Sequence, residues 1–419
     1  MTNIEDVILN QLTKTTKRFY AFIGALLVMV AWGAFAWSIQ LTRGLAVTGM
    51  NIPVYWGVYI SNFVFLIGIS HAGIAISAAV RLLRLELYRP LTRMAELLTI
   101  ISLMLAAMNI VFDLGRPDRV LNMVFFADLS SPLVWDFISV STYFILSTAY
   151  LFLGMREDLS RLADRLPGRR WLYKALSAGW SGSEQQRFGQ ERVLRWMAII
   201  ILPVMVSVHT TVAWIFGLQI AKPIWHESGL GPYFVTGAIV SGISMVTVIA
   251  WILRRLLGWG KFFTLEIFRG LGNFLRAVLL IYAYFMIAEQ VTIRYGGESA
   301  SLEVLEFYST GAYAPYFWSF VILGTVIPFL ILCIPRTRSI GGIVLASILV
   351  TVFMWVKRVI IIIPALMHPV LPPGIGMSTG IYAPTWVEWS ILGGSYALGA
   401  LLYTIFMKFF PIIDLEIGK

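Results

Sequence analysis

One stretch decides the fold class: residues 54–81 read VYWGVYISNFVFLIGISHAGIAISAAVR, and His71 is the only acid, base or histidine before Arg81. At 1.5 Å per residue, a helix of this length exceeds the roughly 30 Å of hydrocarbon in a bilayer. In lipid the backbone must satisfy its own hydrogen bonds, and a helix does so within one segment. The stretch therefore predicts a transmembrane helix with a histidine inside it.

Further stretches of the chain have the same character. Among the 419 residues 58% are hydrophobic and 13% are charged, whereas a soluble domain carries about 25% charged residues. We therefore predict an all-α integral membrane protein with about ten transmembrane helices. The predicted spans are 19–40, 54–81, 94–112, 132–155, 193–217, 232–257, 265–293, 314–334, 341–365 and 386–410.

The basic residues predict the orientation. The N-terminus, the even-numbered connections and the C-terminus together hold 23 lysines and arginines, whereas the odd-numbered connections hold five. Connections rich in Lys and Arg stay in the cytoplasm, so both termini are predicted to lie there, in a multi-pass protein of the cytoplasmic membrane. The formal charge of +10 follows from this orientation, and nucleic acid is not expected as a partner.

The predicted organisation has three parts. Residues 1–18 form a cytoplasmic N-terminal helix, because their apolar side chains recur at helical spacing. Residues 19–410 form the transmembrane domain, whose one sizeable soluble element is the cytoplasmic connection 156–192. Residues 411–419 form a cytoplasmic tail.

Ionisable side chains inside the predicted spans are the main indication of function. A charge at bilayer depth costs about 3 kcal/mol on insertion scales, so such residues usually line a site for an ion, a proton or a substrate. They are His71, Glu96, Asp136, His209, Glu289, Lys357 and Arg358.

The fourth span carries the most regular polar pattern. Asp136, Ser139, Tyr143, Ser147 and Tyr150 recur at helical spacing and therefore share one face of the helix. Such a face either bonds to neighbouring helices or forms one wall of a binding site. The wall is the favoured interpretation for Asp136 and Tyr143.

Metal centres are not expected in this chain. Counted along the predicted spans, His71 lies about 26 Å and His209 about 12 Å below the outer surface. Two axial ligands of a haem b need similar depth, so the pair does not predict one. The single cysteine, Cys333, excludes an internal disulfide, a Cys-ligated iron–sulfur cluster and a c-type haem motif. We also find no complete catalytic centre.

The remaining charged positions each allow two interpretations. Glu96 is either an ordinary interfacial acid or part of a proton route from the cytoplasm. Glu289 forms either a buried ion pair with Lys357 and Arg358 or a section of such a route. The outer end of the third span, with Asp113 and the loop that follows it, is either solvated or in contact with a partner or a head group.

Several short motifs resemble one family. They are Trp56-Gly-Val-Tyr-Ile-Ser-Asn62 leading into Ser70-His71-Ala-Gly73, Leu114-Gly-Arg116-Pro117, Val134-Trp-Asp136 with Ser141-Thr-Tyr143, Ser207-Val-His209-Thr210, Pro232-Tyr-Phe-Val-Thr-Gly237 and Tyr382-Ala-Pro384-Thr-Trp386-Val-Glu388. Together they are similar to the NrfD/polysulfide-reductase membrane subunits, and most to the ten-span branch in alternative complex III and related quinone-linked complexes.

The resemblance implies a fold and a ligand. Such subunits form two four-helix bundles plus peripheral helices, hold no haem or iron–sulfur cluster, and bind a quinone, usually menaquinone, near the outer face. Matching positions imply quinone-binding roles for His71, Asp113, Arg116, Asp136, Tyr143 and His209. The candidate proton pathway comprises Glu96, His71, Glu289, Lys357 and Arg358.

The resemblance also implies partners and a function. An iron–sulfur subunit would dock on the outer face, with molybdopterin-type or cytochrome c subunits, a second membrane subunit and lipids around it. The expected function is electron exchange between menaquinone or menaquinol and that partner, and coupling of this exchange to proton translocation is left open. A secondary transporter and a structural membrane anchor are the alternatives. A transporter typically has matching broken helices in two halves, and an anchor needs few buried charges.

Overall fold

The computed structural model describes residues 4–370 and 380–414, with side chains from residue 7 onward. Fifteen α-helices lie within these residues. They are α1 Ile4–Thr13, α2 Lys17–Arg43, α3 Val58–Leu83, α4 Thr92–Asp113, α5 Asn122–Phe125, α6 Pro132–Arg165, α7 Arg170–Leu176, α8 Glu184–Gly217, α9 Leu230–Leu256, α10 Leu265–Gly296, α11 Ser299–Ser309, α12 Ala314–Ser319, α13 Ile327–Cys333, α14 Ile340–Met367 and α15 Trp386–Phe409.

Ten helical segments are long and apolar enough to cross a membrane. They are α2, α3, α4, α6, α8, α9, α10, the segment from α12 to α13, α14 and α15. A π-helical stretch, Phe320–Val326, joins α12 to α13. Since the described residues contain no β-strand, the predicted all-α fold with about ten transmembrane helices is confirmed.

The spanning helices form two four-helix bundles. In the first bundle α3, α4, α6 and α8 pack in a ring, and in the second α9, α10, α12–α13 and α14 do so. Helices α2 and α15 pack against each other at the periphery of the first bundle. The bundles meet where α9 and α14 contact α3, so α3 lies between them and is buried on nearly every side.

Two glycines allow the close packing of α3. A Cβ atom at Gly73 would lie 2.0 Å from the carbonyl oxygen of Ala95 on α4. A Cβ atom at Gly242 on α9 would lie 2.5 Å from the Cβ atom of Ala72. Because α3 is enclosed by protein, polar side chains along it face other helices and not lipid, and the cost of holding them in the membrane is reduced.

The first and last helices that the structure describes, α1 and the end of α15, lie on one face of the molecule, here called the terminal face. Lys408 Nζ at the end of α15 donates to the Gln11 carbonyl of α1 at 2.6 Å. Arg169, in the connection between α6 and α8, donates to the Lys408 carbonyl at 2.7 Å. Of the predicted segments 1–18 and 411–419, residues 1–3 and 415–419 lie outside the described residues.

The opposite face is capped by irregular segments. Residues 51–57 are not helical, so α3 begins at Val58 and not at residue 54. The Val58 amide donates to the Tyr382 hydroxyl at 2.9 Å, and a Cβ atom at Gly57 would lie 2.3 Å from that oxygen. The segment before α15 therefore lies directly on the start of α3.

Candidate functional site

Two buried histidines meet between the bundles. His71 on α3 and His209 on α8 are fully buried, and their ring centroids lie 4.3 Å apart with 71° between the ring planes. The two residues lie at one depth, so the prediction that their depths differ by more than two helical turns is wrong. The predicted depth of His71 was counted from residue 54, which is not helical, and it assumed that the ends of α3 and α8 are level.

The geometry of the pair bears on the question of a haem. We expected no haem b because His71 and His209 were predicted to lie at different depths. Their equal depth removes that reason. A metal ion needs about 2 Å to each of two imidazole nitrogens. Rings in direct edge-to-face contact leave no such gap between them. Among residues 4–370 and 380–414, no three His, Cys, Asp or Glu side chains form a group that could hold a metal ion.

Most imidazole nitrogens of this pair have no partner. His71 Nδ1 lies 2.8 Å from the Ile67 carbonyl oxygen, which can only accept. Nδ1 therefore carries a proton, and Nε2 of the neutral ring is an acceptor. Within the described structure, His71 Nε2 and both nitrogens of His209 lack a hydrogen bond of ordinary geometry, although the Met205 carbonyl lies near the His71 ring. Because buried polar atoms are almost always paired, these three atoms indicate a place for water or a ligand.

Tyr143 on α6 adds a hydroxyl to the pair. Its ring centroid lies 5.9 Å from that of His71, and its hydroxyl donates to the Ser70 carbonyl at 3.0 Å. The same carbonyl accepts from Thr99 on α4 at 2.7 Å. The donated bond fixes the Tyr143 hydroxyl, whose lone pairs can still accept a hydrogen bond.

The face of α6 predicted from its spacing is turned inward. Four of its five residues are buried: Asp136, Tyr143, Ser147 and Tyr150. The fifth, Ser139, is half-buried and lies 3.0 Å from the Thr211 hydroxyl on α8. Asp136 Oδ1 has no hydrogen-bond partner in the part of the chain that the structure describes. Asp136 is therefore on the wall that α6 shares with α8, nearer the opposite face than Tyr143.

Arg358 on α14 brings the second bundle into the site. Its side chain is buried, and its Nε and Nη2 atoms have no partner among the described residues. The guanidinium lies 5.1 Å from the ring centroid of Phe234, and that ring lies 6.2 Å from His209. A Cβ atom at Gly237 on α9 would lie 2.9 Å from Arg358 Nη2. The missing side chain of Gly237 thus provides space for the cation.

We call His71, Tyr143, His209 and Arg358 the central cluster. Its side chains come from α3, α6, α8 and α14, and the first three meet through ring contacts. The Arg358 charge interacts electrostatically with both imidazoles. The cluster combines an imidazole acceptor, a hydroxyl and a fixed cation in a buried setting. That combination can bind a polar ring and exchange protons with it.

An ion pair lies next to Arg358 in the second bundle. Lys357 Nζ is 3.0 Å from Glu289 Oε2 on α10, and both side chains are buried. The Lys357 ammonium also lies 5.3 Å from the Tyr233 ring centroid. The ion-pair interpretation thus describes Lys357 and Glu289, whereas Arg358 lies outside the pair.

A cavity of about 350 Å³ connects this ion pair with the opposite face. Its lining includes Glu289, Tyr233, Glu227 and His226. A second cavity of about 200 Å³ shares His226 and Glu227 and extends between α8 and α9 as far as Ala213, one helical turn from His209. Burial raises the pKa of the Glu227 carboxyl to about 7, as does the charge of Glu289, while Lys357 acts against the shift.

Glu96 occupies the other side of the membrane domain. It is buried near the start of α4, accepts a hydrogen bond from Ser77 on α3, and lines a terminal-face cavity of about 490 Å³. One turn along α4, Thr99 bonds to the Ser70 carbonyl, which also holds Tyr143. Polar atoms therefore follow the contact between α3 and α4 from the terminal face to the central cluster.

Two predicted quinone-binding residues lie away from the cluster. Asp113 interacts electrostatically with Glu388 of α15, near the Gln40 amide, which donates to the Phe112 carbonyl at 2.6 Å. Arg116 is exposed and pairs with Asp118 at 2.8 Å. The structure thus brings together His71, Tyr143 and His209, places Asp136 along the same wall, and leaves Asp113 and Arg116 elsewhere on the opposite side.

Comparison with known proteins identifies the family. Residues 46–370 match the family described as polysulphide reductase, NrfD. The chain belongs to this family. It is 29% identical to a putative membrane subunit of the dimethyl sulfoxide reductase of Halobacterium salinarum, over 93% of this chain and 91% of that protein.

Two further NrfD-like relatives align over similar lengths. A selenate reductase subunit of Mesobacillus selenatarsenatis is 25% identical over 95% of both chains. An Hdr-like menaquinol oxidoreductase integral membrane subunit of Archaeoglobus fulgidus is 23% identical over 94% of both. The similarity to these proteins therefore extends over nearly the whole chain.

The NrfD match includes the central cluster and also one residue that the sequence pattern did not single out. Glu227 lies in a connection, where an acid is usually solvated. A signal was nevertheless present in the sequence: His226-Glu227 stands between two spans, directly before the Pro232–Gly237 motif. What the sequence could not reveal is the cavity that joins Glu227 to Glu289.

Proposed function

We propose that this NrfD protein is the quinone-binding membrane subunit of a multi-subunit respiratory oxidoreductase. It would exchange electrons between menaquinone or menaquinol and an iron–sulfur subunit on the opposite face. The observation that carries the proposal is the central cluster, where three buried imidazole nitrogens and two guanidinium nitrogens have no partner within the described structure. The Archaeoglobus relative, named as a menaquinol oxidoreductase subunit, supports the choice of quinone.

The unpaired atoms fit the ligand's polar groups. A quinone presents two carbonyl oxygens, which need donors, and a quinol presents two hydroxyls, which need acceptors. Arg358 supplies donors only, whereas neutral His71 supplies an acceptor at Nε2. Phe234, beside both His209 and Arg358, supplies an apolar surface for the ring.

The quinone would reach the central cluster from the opposite face, between α8 and α9. The 200 Å³ cavity ends at Ala213, and the 350 Å³ cavity beside it lies within the usual range for small-molecule sites. Neither cavity is lined by His71 or Tyr143. A ring bound between the histidines therefore requires their imidazoles, now 4.3 Å apart, to separate.

When bound, menaquinone supplies two-electron, two-proton redox chemistry. The residues of this chain would move the protons. His71 Nε2 would accept a proton from a quinol hydroxyl. Arg358 would stabilise negative charge on the ring oxygens without giving up its own proton.

Two polar routes would link the cluster to the two sides of the membrane. On the terminal face Glu96 and Ser77 lead toward Ser70, Thr99 and the cluster. On the opposite face Arg358 is followed by the Lys357–Glu289 pair and then by Glu227. Proton uptake by one route and release by the other would make turnover electrogenic.

The proposed orientation rests on the charge distribution, and the proposed partners rest on the resemblance to NrfD-containing complexes. The 23 basic residues of the termini and even connections support a cytoplasmic terminal face in the cytoplasmic membrane. The iron–sulfur subunit would then dock at the outer, opposite face. The other proposed members of the assembly are molybdopterin-type or cytochrome c subunits and a second membrane subunit.

Two matched histidine variants test this function. His71 and His368 are both buried, and the Nδ1 atom of each lies 2.8 Å from the carbonyl four residues earlier. His368 packs against Phe307, away from the cluster. We expect His71→Leu to lower menaquinol oxidation by the purified complex at least roughly 100-fold, as for the loss of a general base. His368→Leu should change it less than about threefold. Equal losses, or full activity in the properly assembled His71 variant, would contradict the proposal.

A further inference from the structure

The terminal face contains a large cavity lined by arginines. It has a volume of about 490 Å³ and lies where the end of α3 meets the starts of α4 and α8 and the middle of α6. It is lined by six arginines, Arg81, Arg84, Arg89, Arg93, Arg192 and Arg195, and by six acids, Glu86, Glu96, Glu157, Asp158, Glu191 and Asp414. The excess of basic residues in the even-numbered connections explains why arginines occur on this face. It does not explain why six of them surround one cavity.

Three of these arginines have acidic partners. Arg81 bonds to Glu191 at 3.0 Å, Arg93 bonds to Asp158, and Arg89 bonds to Asp414 at 2.6 Å. The lining residue Glu157 is likewise occupied, by Arg161 and Arg187 outside the cavity. Of the remaining lining acids, Glu86 lies 3.5 Å from Arg89, and Glu96 accepts a hydrogen bond from Ser77 and makes no ion pair among the described residues.

The other three arginines have no carboxylate partner among the described residues. Arg84 and Arg195 are exposed and make no ion pair there, and Arg192 lies 4.8 Å from the ring centroid of Phe188. An aromatic contact leaves the charge of Arg192 uncompensated. The cavity thus presents three guanidinium groups that can bind an anion, and phosphate oxygens match guanidinium geometry.

One exposed aromatic side chain lines the cavity, and two further exposed apolar side chains are sequence neighbours of its arginines. Phe188 lines the cavity and is 66% exposed, and Leu83, next to Arg84, is 68% exposed. Trp196, next to Arg195, is 60% exposed. All three lie near the ends of spanning helices, where aromatic and aliphatic side chains contact lipid. A free phosphate ion needs no such surface, whereas the acyl chains of a lipid do.

We propose that this cavity binds the head group of an anionic phospholipid from the leaflet on the terminal face. The phosphate group contacts Arg84, Arg192 and Arg195, and the acyl chains lie along Leu83, Phe188 and Trp196. Basic pockets between transmembrane helices on the cytoplasmic side commonly recognise such head groups. The bound lipid joins the end of α3 to the start of α8, directly below Glu96.

The test uses the purified, delipidated complex and its thermal unfolding. The probes are dioleoylphosphatidylglycerol, dioleoylphosphatidylcholine and inorganic phosphate at equal concentrations. We expect the anionic lipid to raise the unfolding midpoint by several degrees, and the other two probes to raise it by less than one third of that shift. Native mass spectrometry should show about one retained phosphatidylglycerol per subunit.

Two triple variants decide whether the cavity is responsible. Arg84→Gln/Arg192→Gln/Arg195→Gln should lose most of the shift. The control Arg255→Gln/Lys261→Gln/Arg336→Gln removes the same charge elsewhere on the terminal face and should keep the shift. If the cavity triple variant fails to assemble, Arg192→Gln and Arg195→Gln are measured singly, with a partial loss expected in each.

The proposal is overturned by any of four results. Equal stabilisation by inorganic phosphate would indicate a site for a free anion. Equal lipid shifts in both triple variants, or the absence of a shift in the wild type, would mean that this cavity does not recognise lipid. An acidic segment of a partner subunit occupying the cavity in the intact complex would also exclude the lipid.

Discussion

Two buried polar regions of this protein differ in how completely their atoms are paired. Glu388 at the start of α15 is fully buried and accepts from the Gly49 amide at 2.7 Å, the Thr385 amide at 2.8 Å and the Tyr382 hydroxyl at 2.6 Å. His209 in the central cluster is equally buried, yet neither of its nitrogens has a partner in the described structure.

This difference separates stability from function. The bonds of Glu388 join two irregular segments to α15, so its carboxylate stabilises the opposite face. An unpaired imidazole contributes no hydrogen bond to the fold and costs free energy by being buried. The burial of such a residue is explained if a ligand or a water molecule forms the missing hydrogen bonds. Substitutions at the two regions should therefore have opposite effects on stability and turnover.

The largest expected effect is the loss of activity in His209→Leu. Leucine has a similar size and leaves no unpaired nitrogen, so the midpoint of thermal unfolding should be unchanged or higher. Menaquinol oxidation by the purified complex should fall roughly 100-fold. A variant that unfolds earlier while retaining turnover would make His209 a structural residue.

The next effect is a loss of stability in Glu388→Ala. Removing the carboxylate leaves three donors without their acceptor, at a cost of about 3 kcal/mol or more. The measurement is the unfolding midpoint of the complex, together with the turnover of the fraction that remains assembled. Glu388→Gln, which keeps one acceptor oxygen, should lose less stability. An unchanged midpoint in the alanine variant would refute the role given to Glu388.

A smaller effect is expected from Gly237→Ala. The new Cβ atom would lie 2.9 Å from Arg358 Nη2 and 3.0 Å from Tyr282 Cε2, so the guanidinium must move. Turnover should fall about tenfold, which corresponds to roughly 1.4 kcal/mol. Gly393→Ala on α15 is the control, because no atom would lie within 4 Å of its new Cβ atom. Equal activity in both variants would show that the position of Arg358 is not important.

The smallest effect concerns pH and Glu227. Its folded-state pKa of about 7 exceeds the ordinary value of 4.5, so the folded protein holds this proton more tightly. The free energy of unfolding should thus decrease as pH rises from about 4.5 to 7, where the acid becomes charged. In Glu227→Gln the free energy of unfolding should not show this decrease. Its turnover rate should not change with pH near 7, whereas that of the wild type should. Identical pH profiles for the two proteins would remove Glu227 from the proposed route.

The sequence predicts the fold well for a physical reason. A long apolar run must be helical in lipid, and most of the run 54–81 accordingly lies in α3, Val58–Leu83. Spacing along α6 also identified the buried face with Asp136 and Tyr143. These features depend on residues that are close in sequence.

Features that depend on contacts between distant helices were not predictable. The depth of His71 relative to His209 depends on the start of α3 and on the relative position of two helices. The separation of Arg358 from the Lys357–Glu289 pair depends on the space beside Gly237. A quinone-binding role for Arg116 was implied by the family resemblance, but Arg116 pairs with Asp118 in the loop.

The most direct test of the central claim is a cryo-electron microscopy map of the complex purified with menaquinone. The account predicts ring density between α8 and α9, with an oxygen within hydrogen-bonding distance of His71, His209 or Arg358 and with the two imidazoles moved apart. A map with the quinone at another place, and with the imidazoles still in contact or joined only by water, would contradict it.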